Sequence, residues 1–334
     1  MPFYKIIDQK SPVGQRTIAG LLRLKQALDK KLPSKTIDQT LMLASWNIRE
    51  FGGKKSGGRK YEDLFYIAEI LSRFDLIAMQ EVRDNLDAFD SLMRILGRWW
   101  KYLVSDVTFG RQGNSERLAF IYDSRKILFG GLAGELVPPA EGKKRPFKSE
   151  FAFARTPYLA GFQAGWFKFT VCTQHAYYGE SKPDDPQRQK ELEAIVELLR
   201  KRMKSEDRWA NNVILLGDFN IFSTKDKTFL AIEKGGFEIP AKIKGQYTNA
   251  GLDKPFDQIA FLAPDMKRQV EIAKAGVFPF FEYVYRNEDR ATYLQGKSEP
   301  TYRQWRTYKM SDHLPLWVEL KVDFGIDYLS RKVR

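Results

Sequence analysis

The chain has 334 residues, of which 43% are hydrophobic and 14% aromatic, so it can bury a sizeable core and is not a disordered protein. Its 55 Lys and Arg residues against 42 Asp and Glu residues give a net charge of +13. This charge favours polyanionic partners such as nucleic acid or an anionic membrane surface, with solubility as the alternative explanation.

The single cysteine, Cys172, excludes an internal disulfide and is typical of a reducing compartment. The N-terminus lacks the apolar segment of a secretory signal, and no apolar run reaches the roughly 18 residues that a membrane span requires. We therefore expect a cytoplasmic protein without a membrane span. A signal sequence that has already been cleaved is the alternative.

Residues 1–40 are predicted to form an extension in front of the main domain. Within it, residues 16–31 carry apolar side chains that fall largely on one side of a helix: Ile18, Leu21, Leu22, Leu24 and Leu28. We expect this amphipathic helix to pack on the main domain. Docking of a protein partner is an alternative that the pattern permits.

From residue 41 onward, strand and helix patterns alternate as in a layered α/β fold. Strands are predicted at residues 41–48, 75–82, 101–106, 117–123, 126–131, 151–162, 166–175, 212–219, 256–262 and 314–320. Helices are predicted at residues 61–74, 86–96, 186–204 and 225–234. Because no linker interrupts this pattern, we predict one domain over residues 41–322, followed by a basic tail at residues 323–334.

Two stretches rich in glycine and lysine, residues 52–60 and 141–148, are predicted to be exposed loops. The first stretch lacks the glycine spacing of a nucleotide-binding P-loop. Solvated loops are the simple interpretation, and contact with phosphate groups is the alternative.

Several predicted strands end in polar side chains. These side chains are Asn47, Glu81, His175, Asp218 and Asn220. In a layered α/β protein the strand ends hold functional groups at one rim of the sheet. We therefore expect these five residues to converge on one site.

The sequence has two histidines, His175 and His313, and both lie beside predicted strand ends. Histidine titrates near neutral pH and therefore suits proton transfer. A capping or core role is the alternative for either histidine alone.

Four carboxylates lie in or against apolar strands: Glu81, Asp218, Asp257 and Asp312. An unpaired buried charge is costly, and a hard cation would offset that cost. Because the candidate ligands are oxygens without a cluster of Cys and His, the pattern favours Mg²⁺, with Mn²⁺ as a substitute. A turn or capping role is the alternative for each acid alone.

Five motifs in order along the chain carry a resemblance to a known family. They are "WNIREFG", "DLIAMQEVRD", "GDFN", "FDQIAF" and "SDHLPL". Together they resemble the endonuclease/exonuclease/phosphatase superfamily, especially its deoxyribonuclease I branch. The resemblance implies a four-layer α/β/β/α sandwich, in which two packed mixed β-sheets are flanked by helices.

The resemblance also implies roles for the matched residues. Glu81 corresponds to the principal metal ligand, and Asn47 belongs to the same metal site. Asp312 corresponds to a further metal or phosphate contact. Asp218 and Asn220 correspond to residues that orient the water or the phosphate.

By the same resemblance, His313 pairs with Asp257 and His175 pairs with Glu116. Each carboxylate would fix the tautomer and the orientation of its imidazole. The pattern leaves open which histidine acts as the base and which as the acid.

Arg83 and Arg155 resemble positions that contact the nucleic-acid backbone, where guanidinium groups suit phosphate geometry. A surface salt bridge is the alternative for each. The chain departs from the deoxyribonuclease I branch in the loop at residues 110–117, which lacks the tyrosine placed to stack in the minor groove. A long segment before Asp312 is dense in aromatics and arginines, and it suits either base stacking or a lid packed on the domain.

The expected activity is that of a metal-dependent phosphodiesterase, a deoxyribonuclease I-like endonuclease that leaves 5′-phosphate and 3′-hydroxyl ends. The expected partner is nucleic acid, DNA before RNA. The alternatives are a hydrolase of the same fold that acts on RNA, a phosphoinositide or another phosphoester, and a non-catalytic nucleic-acid-binding module.

Overall fold

The computed structural model describes residues 2–108, 114–138, 152–206, 208–262, 271–296 and 298–333. Its strands are β1 (Thr40–Phe51), β2 (Leu76–Arg83), β3 (Trp100–Val104), β4 (Glu116–Asp123), β5 (Leu128–Glu135), β6 (Tyr158–Ala164), β7 (Phe167–His175), β8 (Asn212–Asp218), β9 (Asp257–Leu262), β10 (Glu271–Val277) and β11 (Leu316–Lys321). Its helices are α1 (Pro12–Lys31), α2 (Tyr61–Leu71), α3 (Asp87–Leu96), α4 (Pro186–Met203), α5 (Lys227–Lys234), α6 (Arg290–Tyr293), α7 (Glu299–Lys309) and α8 (Gly325–Lys332). The loop predicted at residues 141–148 and residues 110–113 lie outside the described residues.

The strands form two mixed sheets. Sheet 1 has the order β10-β11-β1-β2-β4-β3, and sheet 2 has the order β5-β6-β7-β8-β9. Within each sheet one neighbouring pair is parallel, β1 with β2 and β7 with β8. The aromatic ring of Phe120 on sheet 1 lies 5.6 Å from those of Tyr158 and Phe162 on sheet 2. The two sheets therefore pack face to face, as the sequence predicted.

Strand β1 explains why the central strands read as continuous apolar runs. Its side chains alternate between two clusters: Leu41 and Leu43 face sheet 2, while Met42, Ala44 and Trp46 face the helices that cover sheet 1. A strand that is covered on both faces needs apolar residues at every position. The predicted four-layer sandwich is confirmed.

Helix α1 belongs to the helical layer on sheet 1. The Ser11 hydroxyl caps it by accepting a hydrogen bond from the Gly14 amide at 3.0 Å, so the helix begins at Pro12 rather than at residue 16. Leu24 is buried against the domain, whereas Leu22, which was expected on the same side, is exposed. Packing of the N-terminal helix on the main domain is confirmed.

The structure corrects the strand prediction in two places. Edge strand β10 was not predicted, because its sequence "EIAKAGV" has only two large apolar side chains, Ile272 and Val277, and it forms by pairing with β11. The strand predicted at residues 151–162 begins only at Tyr158, since Pro157 cannot donate to a ladder and restricts the residue before it.

No helix of the described residues is long and apolar enough to cross a membrane.

The burial of α1 gives a stability prediction. Replacement Leu24→Ala should lower the free energy of unfolding by about 2–5 kcal/mol, because it leaves a cavity at a fully buried position. Leu22→Ala in the same helix is the matched control, since Leu22 is 56% exposed. Urea unfolding of both variants measures the difference, and equal losses would contradict the packing of α1 on the domain.

Candidate active site

The two parallel strand pairs bring the predicted polar residues to one rim. Strand β1 carries Asn47, and β7 and β8 end at His175 and Asp218, which are register partners. Asp218 is also the register partner of Asp257 on β9. Gly217 permits this arrangement, because a Cβ there would lie 2.0 Å from the carbonyl oxygen of Gln174 on β7.

Asp218 lies at the centre of the site and is 1% exposed. Its Oδ2 accepts a hydrogen bond from Asn47 Nδ2 at 3.0 Å. The same oxygen lies 3.5 Å from His175 Nε2 and 3.6 Å from His313 Nε2. Its Oδ1 accepts the Asn220 backbone N–H at 2.9 Å, so the carboxylate is fixed on both sides.

The structure brings the residues of both predicted histidine pairs together. His313 Nδ1 lies 2.8 Å from Asp257 Oδ2, and His175 Nδ1 lies 3.0 Å from Glu116 Oε2. A carboxylate at Nδ1 favours the tautomer or the cation with a proton on that nitrogen. Each ring therefore presents its Nε2 toward Asp218.

The carboxylates also set the protonation of the site. Burial by itself lowers the pKa of His313, but the charges of Asp257 and Asp218 outweigh burial and raise this pKa well above its ordinary value. Burial raises the pKa of Glu116, but the neighbouring His175 and Arg155 outweigh it and lower this pKa to about 2. These shifts favour the protonated form of His313 and the ionised form of Glu116.

Glu81 is held from two directions. Its Oε1 accepts a hydrogen bond from Asn47 Nδ2 at 3.0 Å, and its Oε2 accepts the Glu50 backbone N–H at 2.9 Å. Glu81, Glu50 and Asn220 all have φ between +45° and +61°, a region that non-glycine residues rarely adopt. Such strained positions cluster at functional sites.

The donor set fits a divalent cation. Asn47 Oδ1 is buried, and within the described part of the chain no hydrogen-bond donor reaches it. Ligand atoms of Glu81, Glu116 and His175 lie within 4.8 Å of one another, so a cation could be shared among them. Carboxylate and amide oxygens are ligands that hard cations prefer.

The other predicted residues lie around this centre. Asp312 forms an ion pair with Arg49 at 3.1 Å, and its side chain is 40% exposed. Arg83 donates to the Asn114 carbonyl and lies 3.4 Å from Glu50 Oε1. Both side chains therefore stand at the rim with protein partners.

Arg155 differs from the expectation of an open phosphate-binding surface. It is 7% exposed, and its Nε donates to Glu116 Oε2 at 2.6 Å. The adjacent Phe153 and Ala154 are buried, which draws the whole "FARTP" segment into the domain. Arg155 thus holds the carboxylate that in turn holds His175.

Sequence reasoning missed two residues that support the site. The Ser311 hydroxyl donates to the Asn47 carbonyl at 2.6 Å and accepts the His313 N–H at 3.0 Å, although Ser311 begins the recognised "SDH" motif. Glu191 on α4 accepts the backbone N–H groups of Ala154 and Tyr177 at 2.7 and 2.9 Å. No local pattern marks Glu191, because its partners are distant in sequence.

Two mixed sheets pack face to face, and imidazoles held by carboxylates lie at their common rim. This arrangement defines a phosphoesterase of the α/β/β/α type. The model of the Endonuclease/Exonuclease/phosphatase family matches residues 44–293. The chain belongs to this family, and the predicted family resemblance is confirmed.

Curated relatives include mammalian deoxyribonucleases. Deoxyribonuclease-1 of Rattus norvegicus is 38% identical over 93 residues, which cover 26% of this chain and 32% of that enzyme. Deoxyribonuclease-1 of Sus scrofa is 25% identical over 298 residues, which cover 84% of this chain and 92% of that enzyme. The stronger identity therefore spans only about a third of its relative.

Solved structures share the fold. An endonuclease/exonuclease/phosphatase family protein from Bacteroides thetaiotaomicron superposes with a TM-score of 0.58 at 18% identity, covering 86% of this chain and 99% of the other. A mannosyl-6-phosphatase from the same organism superposes with a TM-score of 0.55 at 18% identity, covering 84% of this chain and 99% of the other. At these identities the likeness concerns the fold alone.

The His313 pair gives a pH prediction for the metal-free protein. Asp257→Asn should lower the pKa of His313, because the imidazolium loses the carboxylate at 2.8 Å. The ion pair contributes its full stabilisation at pH values below about 6.5, the pKa of a histidine in the unfolded chain. This stabilisation is lost as the pH rises through the raised pKa of His313 in the folded protein. NMR titration of the imidazole ring signals in EDTA measures the pKa of His313 directly. The chain has two histidines, so the spectrum contains few ring signals to assign.

The exposed Asp253→Asn is the matched control for that titration. It removes one carboxylate close in sequence to Asp257, but Asp253 pairs with Asn249 and Lys254 instead of a histidine. An unchanged or higher pKa of His313 in Asp257→Asn would contradict the role assigned to the pair.

Proposed function

We propose that this protein is a metal-dependent phosphodiesterase that hydrolyses DNA to 5′-phosphate and 3′-hydroxyl ends. The observation that carries the proposal is the buried Asp218 between two carboxylate-held imidazoles, His175 and His313. The similarity to deoxyribonuclease-1 over 84% of the chain supports a nucleic-acid substrate.

The cation would be held by Glu81 and Asn47, with Asp312 as a further contact, and Mg²⁺ suits these oxygen ligands, with Mn²⁺ as a substitute. When bound, the cation neutralises the charge that develops on the phosphate during hydrolysis. The unpaired Asn47 Oδ1 supports its place in this set. Asn47 itself is held by Glu81 and Asp218 through its amide nitrogen.

Hydrolysis also moves a proton. As the water oxygen bonds to phosphorus and the bond from phosphorus to the 3′-oxygen breaks, the water loses a proton and the 3′-oxygen gains one. His175 and His313 divide these roles through Nε2, because Nδ1 of each ring is taken by a carboxylate. Asp218, which lies within 3.6 Å of both Nε2 atoms, orients the water and offsets positive charge on the rings.

A net charge of +13 favours a polyanionic substrate. Arg83 at the rim supplies a guanidinium suited to phosphate, and Arg155 acts through Glu116. RNA or another phosphoester on the same site is the second candidate, because the residues at the centre are aimed at the phosphate rather than at the base or sugar.

The decisive experiment is nicking of supercoiled plasmid with Mg²⁺, with EDTA and the Glu81→Ala variant beside it. Nicking should require the cation and should fall by about 100-fold or more in Glu81→Ala, on the scale of a lost electrostatic contact in the transition state. Glu81 is only half-buried, so the fold should persist. Glu197→Ala, on the exposed side of α4, is the control.

Normal turnover by Glu81→Ala would remove the proposed metal site. A folded wild-type protein that leaves plasmid intact but hydrolyses RNA or a phosphorylated small molecule would replace DNA by that substrate.

The histidines should each be needed for turnover. His175→Ala and His313→Ala should each lower kcat by roughly 100-fold or more, the scale of a lost general acid or base. A thymidine p-nitrophenyl diester separates the two roles, because its leaving group needs no proton. The variant lacking the acid should recover most of its rate on this ester, and full activity of either variant on DNA would refute its assignment.

A further inference from the structure

The N-terminal helix α1 is in direct contact with the aromatic segment at residues 280–310. Arg16 on α1 lies 4.7 Å above the ring of Tyr293, and Arg23 donates to the Tyr283 carbonyl at 3.3 Å. The family match spans residues 44–293, so α1 and α7 lie outside it.

A cavity of about 740 Å³ lies between helix α1, the aromatic segment at residues 280–310 and the loop from β1 to α2. Its aromatic wall consists of Tyr61, Tyr285, Tyr293 and Trp305. Tyr61 is 57% exposed, so the cavity opens to solvent on that side. Cavities of about 300–1,000 Å³ with aromatic walls are typical of small-ligand sites.

Three acids of the described residues line the cavity and each accepts a hydrogen bond; the exposed Asp87 accepts one from Asn85 Nδ2 at 3.2 Å. Glu62 accepts hydrogen bonds from Arg16 at 2.8 Å and from Tyr293 at 2.7 Å. Asp63 accepts from the Tyr285 hydroxyl and from the Lys60 backbone N–H. These carboxylates are neutralised or hydrogen-bonded and do not bar an anion.

The cations in the wall differ in their partners: Arg16 pairs with Glu62, and Lys309 donates to the Gly58 carbonyl. Arg59 donates to four backbone carbonyls at 2.8–3.2 Å, those of Arg49, Glu50, Lys309 and Met310. Lys54 and Lys60 are exposed beside it, and neither has a carboxylate partner among residues that the structure describes. Residues 52–60 were predicted to be an exposed loop, but Arg59 is drawn inward by these carbonyls.

The cavity adjoins the active site through the backbone. Arg59 donates to the carbonyl of Glu50, whose own N–H donates to Glu81. The residue that lines the cavity and the proposed metal ligand are thus held by one peptide segment.

We propose that this cavity binds an unpaired nucleotide of the substrate strand. The base would lie against the aromatic wall, and its phosphate would contact Lys54 and Lys60. Interleaved aromatic and cationic side chains are how single-stranded nucleic acids are bound, whereas a base paired in a duplex cannot enter a cavity. This inference rests on the proposed function, since the nucleotide belongs to the strand that is cleaved.

The test measures binding without cleavage. Fluorescence anisotropy in EDTA gives the Kd of a labelled 12-nucleotide single strand and of the same sequence as a duplex, for wild type and for two variants, Tyr61→Ala and Lys54→Ala with Lys60→Ala. Tyr61→Ala should raise the single-strand Kd by about 10-fold, the scale of one lost stacking contact. The duplex Kd should change much less, because a paired base does not reach Tyr61.

The control for the lysine pair is Lys201→Ala with Lys204→Ala, which removes the same charge at the far end of α4. That helix begins near the rim and ends at the opposite end of sheet 2, before β8 begins. The Lys54 and Lys60 pair should weaken single-strand binding several-fold more than this control, as local phosphate contacts require.

The outcomes separate this inference from the proposed function. If Tyr61→Ala and the Lys54 and Lys60 double variant show the same single-strand Kd as the control variant, the cavity is not a nucleotide site. This conclusion holds even if the protein nicks plasmid. Cavity-dependent binding of single strands by a protein that cleaves no nucleic acid would uphold the cavity and overturn the hydrolysis of DNA. A wild type that binds no single strand in EDTA would also overturn the cavity.

Discussion

The site depends on one buried carboxylate, Asp218, shared between the two sheets. It comes from β8 of sheet 2, yet its Oδ2 accepts a hydrogen bond from Asn47 of sheet 1 at 3.0 Å. A buried charge is tolerated only when its partners are in place. The packing of the two sheets and the assembly of the site are therefore a single requirement, because separating the sheets would leave Asp218 without Asn47 and without His313.

Asn47 shows how this requirement creates a place for a cation. Its amide nitrogen donates to both Glu81 and Asp218, which fixes the orientation of the group. Its Oδ1 is buried and accepts no hydrogen bond from the described residues. The two acids thus fix the amide through its nitrogen and leave its oxygen free as an acceptor. A free oxygen acceptor near carboxylates suits a divalent cation.

The sequence predicted the fold, and the structure brings the residues proposed for the centre of the site together, because both patterns are local. Apolar runs that stop at Asn47, Glu81 and Asp218 mark strands whose parallel ends meet at one rim. The residues whose surroundings it did not predict take their places from distant partners. Arg155 is buried by contact with Glu116, and β10 is a strand only because β11 lies beside it. Neither contact leaves a trace in the local pattern.

The order of the chain also determines when the site can exist. Strand β11 is inserted between β10 and β1, and Trp46 donates to the carbonyl of His313, 267 residues further along. During synthesis the chain emerges from its N-terminus, so the groups on β1 and β2 are made long before His313. A nascent chain therefore lacks His313 and the pairing of β1 with β11 until the end of its synthesis. The complete set of site residues comes together only after the last strand of sheet 1 has been made.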